Sequence, residues 1–293
     1  KHLDTNMQKN NLPSYSKTVE KLIHDSTDEF KGIPFDKFSI NNRRYMGSKA
    51  KLLEFISNSI NEVIGSYSSF VDIFSGTGVV GNYFNNTNTK VISNDLLYSN
   101  YITNYAFLSN ESFDYNKIDY CINEFNNIKG KENYFSKHFG DKFFSKDTAK
   151  KTGTIRENIE KLYKKNEINF RERAILITSL IYASDKIANT CGHYDAYREN
   201  IDLKDDIFLK HLDIFHDKNS NNEIYNTDSN ILFEQLNYNV DIVYADPPYN
   251  SRQYSSLYHL VENLARWKKP DVEGKASKMK NRKELNSKYC NKT

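Results

Sequence analysis

Hydrophobic positions fall into two kinds of run along this chain. From Lys49 to Ile64, the residues Leu52, Leu53, Ile56, Ile60, Val63 and Ile64 recur at helical spacing. Next, Phe70-Val71-Asp72-Ile73-Phe74 is a short apolar block of the kind that forms a buried strand. It runs into Ser75-Gly76-Thr77-Gly78, and Val79 to Phe84 reads as a helix. Lys90-Val91-Ile92-Ser93 predicts a second strand, which ends on Asn94-Asp95. Strand signals resume far downstream at Ile224-Tyr225-Asn226 and at Asp241-Ile242-Val243-Tyr244-Ala245. The latter stops at Asp246-Pro247-Pro248-Tyr249, and a helix follows from about Ser256 to Trp267. Between these halves one amphipathic helix is predicted over about Arg171 to Ala188, carried by Ile175, Leu176, Leu180, Ile181 and Ile187. Another short helix is suggested by Val19, Leu22 and Ile23. Strand, glycine loop, helix, strand and acid, in that order, form the first half of a doubly wound α/β domain.

Composition narrows the class. The 293 residues are 38% hydrophobic and 14% aromatic, enough for a packed core, so wholesale disorder is excluded. No stretch approaches ~20 apolar residues, which excludes a spanning helix. No charged start precedes an apolar run, so no signal peptide is expected. Cys121, Cys191 and Cys290 are scattered, without a CxxC. That predicts neither a disulfide framework nor a zinc site, and fits the reducing cytoplasm. Net charge is +3, but Lys268 to Thr293 holds nine Lys/Arg against three Asp/Glu, a local +6 that leaves −3 elsewhere. A nucleic-acid partner would therefore meet a local surface.

Two motifs carry chemistry. Phe74 to Gly78 places glycines at the end of a strand and before a helix, where positive φ and close backbone approach are needed. Asp95 follows 17 residues after Gly78, at the end of the next strand, placed to accept hydrogen bonds from ribose hydroxyls. An adenosine-bearing cofactor is the expectation. No phosphate-loop ending is present. In the second motif the Asp246 carboxylate and the Pro247 carbonyl can each accept one N–H of an exocyclic base amine. That favours a tetrahedral nitrogen and aims its lone pair at an electrophilic methyl. Pro247 and Pro248 stiffen the turn, and Tyr249 offers a face on which a base stacks. Asp72, one residue before the turn, either orders the glycine loop or meets a cofactor amine.

Together these residues resemble the S-adenosylmethionine-dependent DNA N6-adenine methyltransferases, and more narrowly their D12 class. Arg44-Tyr45-Met46-Gly47-Ser48-Lys49, with Lys51-Leu52-Leu53, is similar to that family's N-terminal GSK motif. The resemblance implies that Tyr45 and Lys49 help hold the methionine end of S-adenosyl-L-methionine. It places Asp72, Phe74, Gly76, Gly78 and Asp246 in the cofactor site, Asp95 at the ribose and Asp228 near the adenine, with Asp246, Pro247, Pro248 and Tyr249 at the reaction. Asn189 to Tyr197 resembles a segment of one D12 subgroup. Alternative roles stay open: Lys49 as a surface lysine at a helix start, Asp228 as a cap for residues 229–236, and His193 as a structural or DNA-contacting residue.

The resemblance implies a Rossmann-like sheet split by a recognition insert. The divisions are an N-terminal extension, 1–41; a first catalytic half with the cofactor site, 42–110; an inserted, mainly helical region, 111–222; and a second catalytic half with a basic tail, 223–293. Gly78 to Asp246 spans 168 residues. One crossover needs only ~30, so roughly 100 residues are surplus. Within that surplus Lys129, Lys131, Lys137, Lys142, Lys146, Lys150, Lys151, Arg156, Lys161, Lys164, Lys165, Arg171 and Arg173 alternate with Tyr134, Phe135, Phe139, Phe143, Phe144 and Tyr163. This mixture suits contact with double-stranded DNA, or else a solvated helical face. Adenine N6 is paired and stacked in a duplex, so the base must flip. The leading expectation is site-specific DNA adenine N6-methylation within a restriction–modification system, alongside a cognate endonuclease. An RNA base methyltransferase and a truncated, inactive binding remnant are the alternatives. The remnant is suggested because four parallel strands are legible where the family has about seven, with no convincing strand after Tyr249. The missing initiator Met and the abrupt basic end are read together as a chain without its true ends.

Overall fold

The computed structural model describes residues 37–43, 45–203, 206–214, 221–236, 239–248 and 251–290. The expected N-terminal helix near Val19, together with Arg44 and Tyr249, lies outside them. After a 3-10 turn at Ile40–Asn42, the elements run α1 (Leu53–Val63), β1 (Ser69–Asp72), α2 (Val79–Phe84), β2 (Lys90–Asn94) and α3 (Tyr98–Leu108). Four helices follow: α4 (Tyr115–Asn127), α5 (Tyr134–Phe139), α6 (Lys146–Lys164) and α7 (Phe170–Ile187). The chain then returns through β3 (Glu223–Tyr225), α8 (Ser229–Gln235), β4 (Ile242–Tyr244), α9 (Tyr254–Leu257) and α10 (His259–Arg266). A hairpin of β5 (Val272–Glu273) and β6 (Lys278–Met279) and a 3-10 turn at Lys280–Leu285 close the described part.

The four longer-range strands form one parallel sheet in the order β3-β2-β1-β4. β1 is wholly buried, with Phe70 and Val71 fully enclosed, as an inner parallel strand covered on both faces must be. Phe70 pairs with Val91 on one side and Ile242 on the other. The chain leaves β1 for β2 on one side and returns to β4 on the other. A crevice therefore opens at the carboxyl ends of β1 and β4, where α/β sheets bind ligands. Asp241 fastens the start of β4 to β1. Its carboxylate accepts from the backbone N–H and hydroxyl of both Ser68 and Ser69 at 2.7–3.0 Å, which holds it down to about 2.

One continuous core joins the helices of residues 111–222 to α3 and α10, through Ile102, Leu108, Phe125, Phe135, Ile155, Leu180 and Leu264 among others. This overturns part of the expected DNA-facing set. Phe135, Phe139, Phe143 and Phe144 are core residues, and Arg156, Arg171 and Arg173 are buried. Each arginine has internal acceptors. Arg156 donates to the carbonyls of Leu264 (2.8 Å) and Ala265 (3.1 Å) at the end of α10, where a cation suits the helix terminus. Arg173 pairs with Glu160 and Arg171 donates to the Glu111 carbonyl. Lys129, Lys131, Lys137, Lys146, Lys161, Lys164 and Lys165 are exposed.

Two further expectations shift. The helix after the Pro-Pro turn is broken in two at Tyr258, whose hydroxyl turns inward and accepts from the Met46 N–H at 2.7 Å. The basic segment, expected to lack strand, holds the β5–β6 hairpin. Among the described residues β4 has a single neighbour in the sheet, and Val243 is 41% exposed. Among the described residues no helix is long and apolar enough to cross a membrane. No three His, Cys, Asp or Glu side chains gather as metal ligands there.

Candidate active site

The loop after β1 is shaped by its glycines. Gly76 has φ +52° and Gly78 φ +82°. A Cβ on Gly78 would lie 2.4 Å from Asn104 Oδ1, and one on Gly76 would meet the Tyr45 ring at 3.4 Å. Asn104 in turn donates to the Gly76 carbonyl (3.0 Å) and accepts from the Ser93 hydroxyl (2.8 Å), so α3 holds the loop from behind. Asp95 faces it from the end of β2. One carboxylate oxygen accepts the Gly76 N–H (2.9 Å) and the other the Leu97 N–H (2.8 Å). Burial outweighs both bonds and pushes Asp95 up to about 6. Asn94 beside it ties three strand ends together, donating to the carbonyls of Ile73 and Thr227 and accepting the Thr227 N–H.

This loop and the Pro-Pro turn line a single cavity. Asp72, Phe74, Gly76 and Asp95 come from one side, and Asp246, Pro247 and Pro248 from the end of β4. Tyr45 and Lys49 enclose it from the N-terminal segment, and Asp228 from the start of α8. Every described residue expected at the site reaches this cavity except Gly78, which shapes the loop from beneath. Asp72 is 1% exposed and is pushed up to about 7, chiefly by burial; the Gly81 N–H at 3.1 Å opposes the shift. Its second oxygen has no hydrogen-bond partner among the described residues. Lys49 makes an ion pair with Asp246 and donates to the Gly47 carbonyl at 2.9 Å. Asp228 caps α8, accepting the Asn230 N–H at 2.9 Å, and also lines the cavity. His193 does not line the cavity; its ring Nδ1 accepts the Asp195 N–H at 3.3 Å within its own turn.

Several contributors are invisible to motif reasoning. Tyr45 stacks on Tyr258 with centroids 4.4 Å apart, and its hydroxyl accepts from Asn100 at 3.0 Å. Burial drives that hydroxyl's pKa well above the usual tyrosine value. Asn100 and Asn104 lie one helical turn apart in α3, a spacing that points both at the loop. Leu285, Ser287, Lys288 and Tyr289 also line the cavity, from a segment whose basic composition gives no such signal.

A parallel sheet with a glycine-cradled cavity and a carboxylate–Pro–Pro turn at its switch point has the build of a Rossmann-like methyltransferase. The chain belongs to the D12 class N6 adenine-specific DNA methyltransferases, whose sequence model matches residues 45–293. It is similar to the modification methylase StsI of Streptococcus sanguinis, 37% identical over 274 residues, covering 85% of this chain and 40% of that protein. It also resembles the type II methyltransferase M.NlaIII of Neisseria lactamica, 30% identical over 262 residues, covering 85% and 76%. A third relative is the type II methyltransferase M.FokI of Planomicrobium okeanokoites, 35% identical over 267 residues, covering 85% and 40%. The chain thus spans 40% of the length of StsI and of M.FokI.

Proposed function

We propose that this chain transfers a methyl group from S-adenosylmethionine to N6 of an adenine flipped out of double-stranded DNA, at a specific sequence. The observation that carries this is the convergence of the Asp246-Pro247-Pro248 turn and the Gly76 loop on one cavity. When bound, S-adenosylmethionine supplies a methyl carbon made electrophilic by its sulfonium sulfur. The residues present fit it. The unpartnered oxygen of Asp72 suits an ammonium group, and the Asp95 oxygens retain acceptor capacity for ribose hydroxyls. Gly76 leaves room for close approach, Phe74 offers an apolar face, and Asp228 offers an acceptor for an adenine amine.

Asp246 and the Pro247 carbonyl accept the two N–H groups of the target amine and orient its lone pair. Lys49 gives up the Asp246 carboxylate as the amine arrives. As the nitrogen–carbon bond forms and the carbon–sulfur bond breaks, the nitrogen becomes acidic and releases its proton to water. Tyr249 is assigned to stacking on the flipped base.

The remaining assignments belong to the same reading. Residues 42–110 and 223–293 carry the transfer, and 111–222 read the DNA, supported by the exposed lysines at 129, 131, 137, 161 and 164. The sheet continues past β4. That edge has no neighbour among the described residues, and Val243 on β4 is 41% exposed. The names of the relatives, modification methylases and type II methyltransferases, support a restriction–modification role; a cognate endonuclease and a cytoplasmic setting belong to the same proposal. The test is incubation with labelled S-adenosylmethionine and unmethylated genomic DNA, followed by digestion to nucleosides. Label in 6-methyladenine is expected. Label in cytosine, or in RNA only, overturns the reading.

A further inference from the structure

Beyond the 3-10 turn at Lys280–Leu285, the chain crosses the cofactor cavity as a strap. Its position is fixed by a two-point clamp. The Ser287 N–H donates to Gln253 Oε1 at 2.9 Å, and Gln253 Nε2 donates back to the Ser287 carbonyl at 3.1 Å. Ser255 Oγ donates to Asn286 Oδ1 at 2.9 Å. Gln253 lies seven residues after Asp246, so the strap is tied to the segment that leaves the Pro-Pro turn.

The strap carries Lys288 and Tyr289 to the adenosyl side of the cavity. The Tyr289 ring meets Phe74 edge to face, with centroids 5.1 Å apart and planes at 80°. Its hydroxyl donates to Asn230 Oδ1 at 2.9 Å. Lys288 Nζ sits 3.7 Å from Asp228 Oδ2. Tyr289 is 40% exposed, although it is held by a ring contact and a hydrogen bond and lines the cavity. A large aromatic ring held by an edge contact and a hydrogen bond, yet partly exposed where it lines a cavity, is arranged to receive another flat apolar surface. Phe74 and Asp228, an acceptor for an exocyclic amine, line the same cavity.

We infer that the strap of residues 285–290 is the adenosyl-side wall of the cofactor site, and that Tyr289 is a cofactor-binding residue whose ring packs against the purine of S-adenosylmethionine. The inference rests on the methyltransferase reading above. Phe74 and Tyr289, in contact edge to face, then form adjoining walls against the purine, Asp228 takes its amine, and Lys288 screens the Asp228 carboxylate until that amine arrives.

The experiment measures S-adenosylmethionine binding by calorimetry, and methyl transfer to DNA, for the whole chain and for Tyr289→Ala, Tyr289→Phe and Tyr289→Leu. Tyr289→Ala is expected to weaken binding about tenfold or more, a loss on the scale of one aromatic contact. It raises KM for the cofactor with kcat little changed, because the contact is made equally in ground and transition states. Tyr289→Phe restores affinity to within ~3-fold, since the ring and not the hydroxyl makes the contact. If Tyr289→Ala does not fold, Tyr289→Leu, which keeps apolar bulk without a ring, decides by the same comparison. Wild-type affinity in the Ala or Leu variant overturns the assignment. So does a fall in kcat at unchanged KM, which would mark Tyr289 as a support of the Gln253 segment only. If the wild-type chain itself fails to bind S-adenosylmethionine, the cofactor reading falls first and this inference with it.

Discussion

Lys49 and Asp246 are 197 positions apart in the chain and form an ion pair at the candidate active site. The carboxylate proposed to orient the target amine is thus held by a cation, with about a quarter of each side chain open to solvent (21% and 29%). Asp246→Ala removes the acceptor that orients the target amine. It is expected to lower methyl transfer by about 10²–10³ or more, the scale of losing one positioned transition-state contact. Cofactor affinity should change less than ~3-fold, because the amine, and not the cofactor, is the partner of Asp246. Steady-state transfer of labelled methyl groups, beside calorimetry of cofactor binding, checks both halves. Surviving transfer would place the chemistry elsewhere.

Asp72 supplies a pH dependence with a definite sign. Its folded pKa of about 7 lies above the unfolded value near 3.9. The native state therefore binds this proton more tightly than the unfolded chain does. The contribution of Asp72 to stability falls as pH rises from about 4 to about 7 and is level outside that window. Asp72→Asn removes the slope, so its melting temperature should gain on the wild type's across those pH values. Cofactor binding runs the other way, because an ammonium favours the ionised carboxylate. Wild-type affinity should climb up to about tenfold between pH 5.5 and 7, below the α-amino pKa of 7.7–8.0. The Asn variant should be flatter. Equal slopes in the two proteins would remove Asp72 from the amine site.

Gly78 tests the loop's geometry. Its φ of +82° is strained for any other residue, and a Cβ there would lie 2.4 Å from Asn104 Oδ1. Gly78→Ala is expected to cost about 1–3 kcal/mol in urea unfolding and to weaken cofactor binding with it. A double variant with Asn104→Ala removes the steric part but also the bond to the Gly76 carbonyl. The two changes should therefore be non-additive, with a coupling of about 0.5–3 kcal/mol. Strict additivity would mean that the backbone has moved to avoid the contact.

Patterning exposes the strands of this protein far better than its middle. β1 and β2 are inner parallel strands, so their apolar runs are continuous, and the glycine loop and acids at their ends stand out. α5 is six residues long, and α6 buries Lys151, Thr152 and Arg156 beside Ile155 and Ile159, so hydrophobic counting underrates its inner face. A charged residue type does not announce its partner. Arg156, Arg171 and Arg173 look like surface cations until carbonyls of α10, the carbonyl of Glu111 and the carboxylate of Glu160 are placed beside them. Ser287, Lys288 and Tyr289 have partners 34–215 positions away, at Gln253, Asp228, Asn230 and Phe74, and no local pattern encodes such distances. The motifs are legible because each performs its chemistry within a few consecutive residues.

The buried pair of Arg43 and Asp185 links Tyr45, which lines the cavity, to the segment at residues 189–197. Arg43 Nε donates to Asp185 at 3.2 Å and Nη1 to Asn100 at 2.9 Å, while Nη2 has no partner among the described residues. The Tyr194 hydroxyl donates to the other Asp185 oxygen. The guanidinium also lies 5.4 Å from the centroid of Tyr45, so the pair supports the ring that faces Gly76. Despite burial, the neighbouring carboxylate keeps the Arg43 pKa above its ordinary value. Asp185→Ala strands a fully buried cation and is expected to cost about 3–5 kcal/mol, read as a lowered urea midpoint at unchanged slope. Tyr194→Phe removes one hydrogen bond and should cost about 1–3 kcal/mol. Replacing both charges together, Arg43→Met with Asp185→Leu, should recover much of the loss, since the penalty lies in the unpaired charge and not in the missing attraction. A double variant as unstable as Asp185→Ala would show instead that the pair's geometry, and its support of Tyr45, is what the fold requires.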